Sequence, residues 1–76
     1  ASIYNQIAKE YLNPSSLDSS LKYVEKALNI AKKNSQKEET AKSYKILGTI
    51  SYYKQDFEKA ISNYSKSLSI KEILND

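Results

Sequence analysis

The side chains of this chain that could do chemistry are hydroxyls, amines and carboxylates, because the sequence contains neither cysteine nor histidine. A serine nucleophile needs a neighbouring base, and histidine is the commonest such base in proteins. Paired carboxylates could act as an acid and a base, but Glu38 and Glu39 fall in the first turn of a predicted helix, where the helix dipole explains them. We therefore predict that the chain is not an enzyme and has no catalytic residue.

Sites for metals and cofactors are not indicated either. The one glycine, Gly48, cannot form the glycine-rich loop that cradles phosphates. The sequence lacks an Asp-x-Asp calcium loop, and its composition excludes zinc sites built from cysteine and histidine. The sequence predicts no metal site and no cofactor.

Twelve lysines supply all the basic charge, and with nine acids they leave a net charge of +3. Proteins that recognise phosphates and bases specifically favour the planar guanidinium group of arginine, whereas scattered lysines are typical of solvated helix surfaces. We predict no nucleic-acid partner, and an affinity for DNA or RNA that falls steeply with salt would revive that alternative. No apolar run approaches the roughly 20 residues that span a bilayer, so we predict no membrane partner.

Hydrophobic spacing predicts four helices and no strand. The first segment runs from Ser2 to Leu12, and a break containing the only proline follows it. The second helix should end near Lys33, and the third should begin at Gln36 and stop before Asp56. The apolar stripes are Tyr4, Ile7, Ala8 and Tyr11 in the first segment; Leu17, Leu21, Val24, Leu28 and Ala31 in the second; Ala41, Tyr44, Leu47, Gly48 and Ser51 in the third; and Phe57, Ala60, Ile61, Tyr64 and Leu68 in the fourth.

Helix starts are marked by polar residues whose side chains can accept hydrogen bonds from the free backbone N–H groups of the first turn. Ser15 followed by Asp18, and Ser35 followed by Glu38, have the spacing of a capping box. Asp56 is a candidate N-cap for the fourth helix. These signals predict where the second, third and fourth helices begin.

A shift of forty residues brings the two halves of the chain into register. Tyr4 then falls on Tyr44, and Leu28 falls on Leu68. Large residues match large ones and small residues match small ones over about thirty positions, which helical periodicity alone would not maintain. A period between 20 and 50 residues is typical of solenoid proteins.

The second half carries the pattern Tyr44-x2-Leu47-Gly48, then Ala60-x3-Tyr64. This pattern resembles the tetratricopeptide repeat, a helix-turn-helix unit. The resemblance implies an all-α fold, an α-α superhelix of two helix-turn-helix repeats with four antiparallel helices. It implies one domain, residues 1–76, with a first repeat at 1–40 and a second at 41–76.

The period of forty exceeds the usual 34 or so, and it resembles the long-helix variant found in bacterial regulatory proteins and in kinesin light chains. Ser51 stands where the family prefers an aromatic residue. Among the seven tyrosines, the four at family packing positions are expected in the core rather than on a nucleic-acid platform. Those four are Tyr4, Tyr11, Tyr44 and Tyr64. Gly48 is expected where two helix backbones approach closely.

The family uses the first helix of each unit to line a concave groove for a peptide or a partner helix. Carried over by position, the site residues are Asn5, Lys9 and Leu12 from the first unit and Lys42, Lys45, Thr49, Tyr52 and Tyr53 from the second. The lysines would attract an acidic side chain or a C-terminal carboxylate, and amide and tyrosine contacts would fix the register. The family's clamp for chaperone tails is not matched, because Ile46 replaces its asparagine. The alternative is that these residues are merely solvated.

The resemblance implies a protein–protein interaction scaffold within a cytoplasmic, bacterial regulatory or signalling protein. Two repeats are fewer than the three or so that usually make a stable array. Ile70, Ile73 and Leu74 would lack cover, so we expect either further repeats in a longer protein or self-association through the C-terminal helix. The alternative function is a self-associating four-helix structural domain with no peptide-binding role.

Overall fold

A computed structural model describes residues 2–75 and confirms the all-helical prediction. The four helices are α1 (Ser2–Glu10), α2 (Leu17–Lys33), α3 (Lys37–Tyr53) and α4 (Phe57–Leu74). Each helix packs against the next one along the chain, and α1 also contacts α3. The predicted boundary between repeats, at 40/41, lies inside α3, and the division into two repeats stays a prediction.

Two of the three predicted helix starts lack the side-chain cap that was expected. Asp56 is the N-cap of α4, as predicted, and its Oδ1 accepts the Lys59 N–H at 3.3 Å. The two capping boxes were wrong, because α2 and α3 begin after Ser16 and Gln36 without a side-chain cap. The hydroxyl of Ser15 instead donates to Oδ1 of Asn13 at 2.6 Å.

The first helix is shorter than predicted, because α1 ends at Glu10 rather than Leu12. The Leu12 N–H donates to the Lys9 carbonyl at 3.1 Å, a three-residue bond that tightens the chain into a turn before Pro14. Six residues therefore separate α1 from α2. Three residues connect α3 to α4.

The helices α2 and α3 end in the same way. Ser35 (φ 55°) and Gln55 (φ 64°) both adopt a left-handed backbone conformation. This conformation lets the next N–H reach back, from Gln36 to the Ala31 carbonyl at 2.8 Å and from Asp56 to the Ser51 carbonyl at 2.9 Å. Such bonds satisfy carbonyls that a helix end would otherwise leave free.

The core is small and lies where α1, α2 and α3 meet. Ala8, Val24, Ile46 and Ile50 form a buried cluster. Around this cluster pack the partly buried side chains of Leu12, Leu17, Leu21, Tyr23 and Leu47. Elsewhere the helices approach through small buried residues, among them Ala27, Ala31, Ala41, Ala60, Ser20 and Ser67.

The predicted apolar stripe of α4 is mostly uncovered. Ala60 is buried, but Phe57, Ile61 and Leu68 are 54%, 67% and 58% exposed. The reason is that these side chains flank the face by which α4 packs on α3. The tyrosines expected in the core are also less buried than predicted, since Tyr11 and Tyr64 are more than a third exposed.

Gly48 is buried as expected, but a side chain rather than a backbone lies against it. A Cβ atom at this position would stand 2.9 Å from Cδ1 of Tyr64. The glycine in α3 therefore makes room for an aromatic ring on α4.

Candidate functional site

A groove of about 390 Å³ lies along α1 and α3. Helix α4 contributes one side chain to it. The lining residues are Ser2, Asn5, Gln6, Lys9, Leu12, Glu39, Lys42, Lys45, Ile46, Thr49 and Lys71.

Six of the eight predicted site residues line this groove: Asn5, Lys9, Leu12, Lys42, Lys45 and Thr49. Tyr52 and Tyr53 do not. The Tyr52 ring packs edge-on against Phe57, with ring centroids 5.7 Å apart, and Tyr53 lies beside it. Both tyrosines sit at the junction of α3 and α4, because the last turn of α3 carries them past the end of the groove.

Asn5 has a structural part in the groove. Its side chain is buried, its Nδ2 donates to the Glu39 carbonyl at 3.1 Å, and its Oδ1 accepts the Ser43 hydroxyl at 2.9 Å. These bonds join α1 to α3 and hold the two walls of the groove at a fixed separation. The amide is therefore occupied within the protein, and buried polar groups paired in this way specify a unique arrangement.

The groove is positively charged. Lys42 pairs with Glu39, with Nζ 3.6 Å from Oε1, and the Glu39 carboxylate also lies 3.4 Å from Nδ2 of Asn5. Within residues 2–75, no carboxylate lies within 4.0 Å of the ammonium groups of Lys9, Lys45 or Lys71. Glu39, the one acid that lines the groove, is thus already paired. The ammonium groups of Lys9, Lys45 and Lys71 line the same groove without a carboxylate partner among residues 2–75.

Lys71 was missed in the sequence because the family resemblance assigns the groove to the first helix of each unit. A signal for it exists in the spacing of α4. Lys71 follows Tyr64 by seven residues, two helical turns on the same face. The Tyr64 hydroxyl lies 2.7 Å from Oγ1 of Thr49, a groove residue, so this face of α4 borders the groove.

The floor of the groove has an apolar part next to its charges. Leu12 is half-buried and Ile46 is buried, and both belong to or pack on the core cluster. A ligand with an apolar side chain and a negative group would find contacts for both. Among residues 2–75, no group of three acidic side chains is placed to hold a metal ion.

A model of the tetratricopeptide repeat matches residues 1–73, nearly the whole chain. The chain belongs to the tetratricopeptide repeat family. Modules of this family are scaffolds for protein–protein interaction and are typically not catalytic. Neither a curated protein nor a solved structure matches the chain. None of the helices described over residues 2–75 is both long and apolar enough to cross a membrane.

Proposed function

We propose that this tetratricopeptide repeat module binds an acidic peptide segment, or the C-terminal carboxylate of a partner protein, in the groove along α1 and α3. The observation that carries the proposal is the set of three lysines that have no carboxylate partner within residues 2–75. Lys9, Lys45 and Lys71 come from three different helices and line one groove.

In this proposal the lining residues have different roles in binding. Lys9 and Lys45 attract the negative groups of the ligand, and Lys71 closes the charged rim from α4. Leu12 and Ile46 contact an apolar side chain of the ligand. Charge complementarity of this kind contributes mainly to the rate of encounter and to specificity, while the apolar contact slows dissociation.

The forty-residue period supports placing the module in a bacterial regulatory or signalling protein of the cytoplasm, because the long-helix variant it resembles is found there. In such a protein the groove would sense a peptide and pass its occupancy to an output domain. This step rests on analogy between folds.

Binding can be measured by fluorescence anisotropy with a labelled peptide rich in aspartate and glutamate that also contains leucine. The same peptide with an amidated C-terminus distinguishes side-chain from C-terminal carboxylates. Lys45→Glu should weaken binding by about tenfold or more, the effect of roughly 1.4 kcal/mol lost at a charged contact. Lys22→Glu is the matched control, because Lys22 is exposed on α2 outside the groove and the charge change is identical.

Equal losses for Lys45→Glu and Lys22→Glu would mean that net charge, not the groove, attracts the peptide, and the proposal would be wrong. The same assay with labelled single-stranded DNA addresses the nucleic-acid alternative. Tighter binding of DNA than of peptide, lost steeply with salt, would favour that alternative.

A further inference from the structure

A row of exposed apolar side chains on α4 is a second surface, which borders the groove at Tyr64. It consists of Phe57, Ile61, Tyr64 and Leu68, called here the α4 stripe, and none of its members lines the groove. Their exposed fractions are 54%, 67%, 38% and 58%. The spacing of 4, 3 and 4 residues keeps the stripe on one side of the helix, as in the seam of a coiled coil.

The internal repeat shows what covers the equivalent surface on α2. Forty residues before the α4 stripe stand Leu17, Leu21, Val24 and Leu28, none of which is exposed. There α3 provides the cover, because its Ile46 and Ile50 join Val24 in the core cluster. The α4 stripe therefore has the composition of a helix-packing surface, and no helix within residues 2–75 covers it.

A second copy stacked head to tail does not fit this surface. In that arrangement α1 of the second copy would take the place of α3, and Gln6 and Glu10 would replace Ile46 and Ile50. Both are exposed in the present structure. Burying a carboxylate and an amide against apolar side chains without partners is costly.

We propose that two copies of this chain pair through their α4 stripes, antiparallel and about a twofold axis. An axis between Ile61 and Tyr64 places Phe57 opposite the second copy's Leu68, and Ile61 opposite the second copy's Tyr64. The antiparallel direction sets the positive N-terminal end of each helix beside the negative C-terminal end of the other. An isologous contact of this kind closes on itself and forms a dimer rather than a fibre.

The area available decides how strong the dimer is. With about 150–250 Å² for each large side chain, the exposed parts of the stripe and the neighbouring Tyr52 amount to roughly 500 Å² per copy. A patch of this size is within the range of the largest apolar patch on a typical monomer, which is often functional. The pair would bury roughly 1,000 Å², the lower end for specific interfaces. The dimer is therefore expected to be weak and to dissociate on dilution in the micromolar range.

Sedimentation equilibrium of the full chain from low micromolar to millimolar concentration tests the proposal. A reversible monomer–dimer equilibrium is expected, and Ile61→Lys should raise its dissociation constant by about tenfold or more. The matched control is Ile73→Lys on the same helix. Ile73 is 65% exposed, but it lies about 120° around the helix from Ile61. Ile73→Lys should leave the monomer–dimer equilibrium unchanged.

The antiparallel register has its own test. Phe57→Glu and Leu68→Lys should each weaken self-association, and a mixture of the two variants should form a heterodimer. In that mixture one contact pairs the introduced carboxylate with the introduced ammonium, and the other keeps its native side chains. Parallel helices would set position 57 against position 57, so a mixture of Phe57→Glu with Phe57→Lys would then form the heterodimer, and that result would overturn the twofold antiparallel geometry.

Three results would overturn the pairing itself. They are a monomer at millimolar concentration, a mass that grows without limit as in head-to-tail stacking, or a dimer equally weakened by Ile61→Lys and Ile73→Lys. Peptide binding in the groove is measured on monomer at low concentration, so this outcome is independent of the proposed function.

Discussion

The two halves of the chain share a sequence pattern but differ in what their second helices touch. Helices α1 and α2 make the first half, and α3 and α4 make the second. Lys26 lies 5.8 Å from the centroid of the Tyr4 ring, and forty residues later Lys66 lies 5.4 Å from the centroid of the Tyr44 ring. This pair keeps its register because it depends only on neighbouring helices within one half.

The extent of burial differs between equivalent positions of the two halves. Val24 of α2 is fully buried, whereas its equivalent in α4, Tyr64, is 38% exposed. The difference follows from position in the stack, since α2 lies between α1 and α3, and α4 has one neighbour among the described helices. An apolar stripe in a solenoid thus specifies a packing surface, and the next unit along the stack determines whether the surface is covered.

The sharpest contrast between the halves is at Ile50 and its equivalent forty residues earlier, Glu10. Ile50 is 3% exposed in the core cluster, whereas Glu10 is exposed at the end of α1. Ile50→Ala should lower the free energy of unfolding by roughly 2–5 kcal/mol, because it leaves a cavity in a small core. Glu10→Ala should change it by less than about 0.5 kcal/mol. Urea denaturation followed by circular dichroism measures both, and equal effects would contradict the asymmetry.

The contact between Gly48 and Tyr64 is the second point of difference, because the first half has Ala8 and Val24 there. Gly48→Leu should destabilise the chain by about 2–3 kcal/mol, since the Tyr64 ring and α4 must shift. Thermal melts of Gly48→Leu, Tyr64→Ala and the double variant form a cycle. If the ring causes the strain, the double variant should be more stable than the sum of the single effects predicts. Strict additivity would mean that some other contact is responsible.

Each half also has one buried serine that bonds to a carbonyl of the partner helix. Ser20 donates to the Ala8 carbonyl at 2.7 Å, and Ser67 donates to the Ala41 carbonyl at 2.8 Å. Ala41 lies inside α3, where its carbonyl also receives the ordinary helical bond. Ala8 lies at the end of α1, and the Leu12 N–H that would reach it donates to Lys9 instead.

These two bonds should therefore differ in energy. Ser20→Ala leaves a carbonyl in the core without its donor and should cost about 1–2 kcal/mol, whereas Ser67→Ala should cost about 0.5–1 kcal/mol. Urea denaturation of the two single variants gives the comparison. A larger loss for Ser67→Ala would show that the turn after α1 does not depend on the Ser20 hydroxyl.

The helices and their order could be predicted from the sequence, because apolar spacing and the forty-residue register report directly on the backbone. The caps at Ser15 and Ser35 could not. Ser15 bonds to Asn13 instead of capping a helix, and Ser35 adopts the left-handed backbone conformation that ends α2. Exposure of Phe57 and Leu68 was not predicted, because a stripe does not say whether a neighbour covers it.

Only part of the groove lining could be predicted from the sequence, for a similar reason. The residues of α1 and α3 could be assigned by their position in the repeat, and six of them line the groove. The internal bonds of Asn5 depend on tertiary contacts between α1 and α3, which leave no mark in the spacing of one helix. The spacing of α4 places Lys71 on the same face as Tyr64, but only the contact of Tyr64 with Thr49 shows that this face borders the groove.

The smallest effect is expected at the two turns that end α2 and α3, the feature that the halves share most closely. Gln55 has φ 64°, a conformation that glycine adopts without the cost that a Cβ atom brings. Gln55→Gly should raise the free energy of unfolding by about 0.5–1 kcal/mol, because relief of that strain exceeds the extra entropy of the unfolded chain. Lys54→Gly is the control, because Lys54 has φ −81° and should lose stability on the same change. Thermal melts decide between these outcomes, and a loss of stability in both variants would mean that the left-handed turn at Gln55 is not strained.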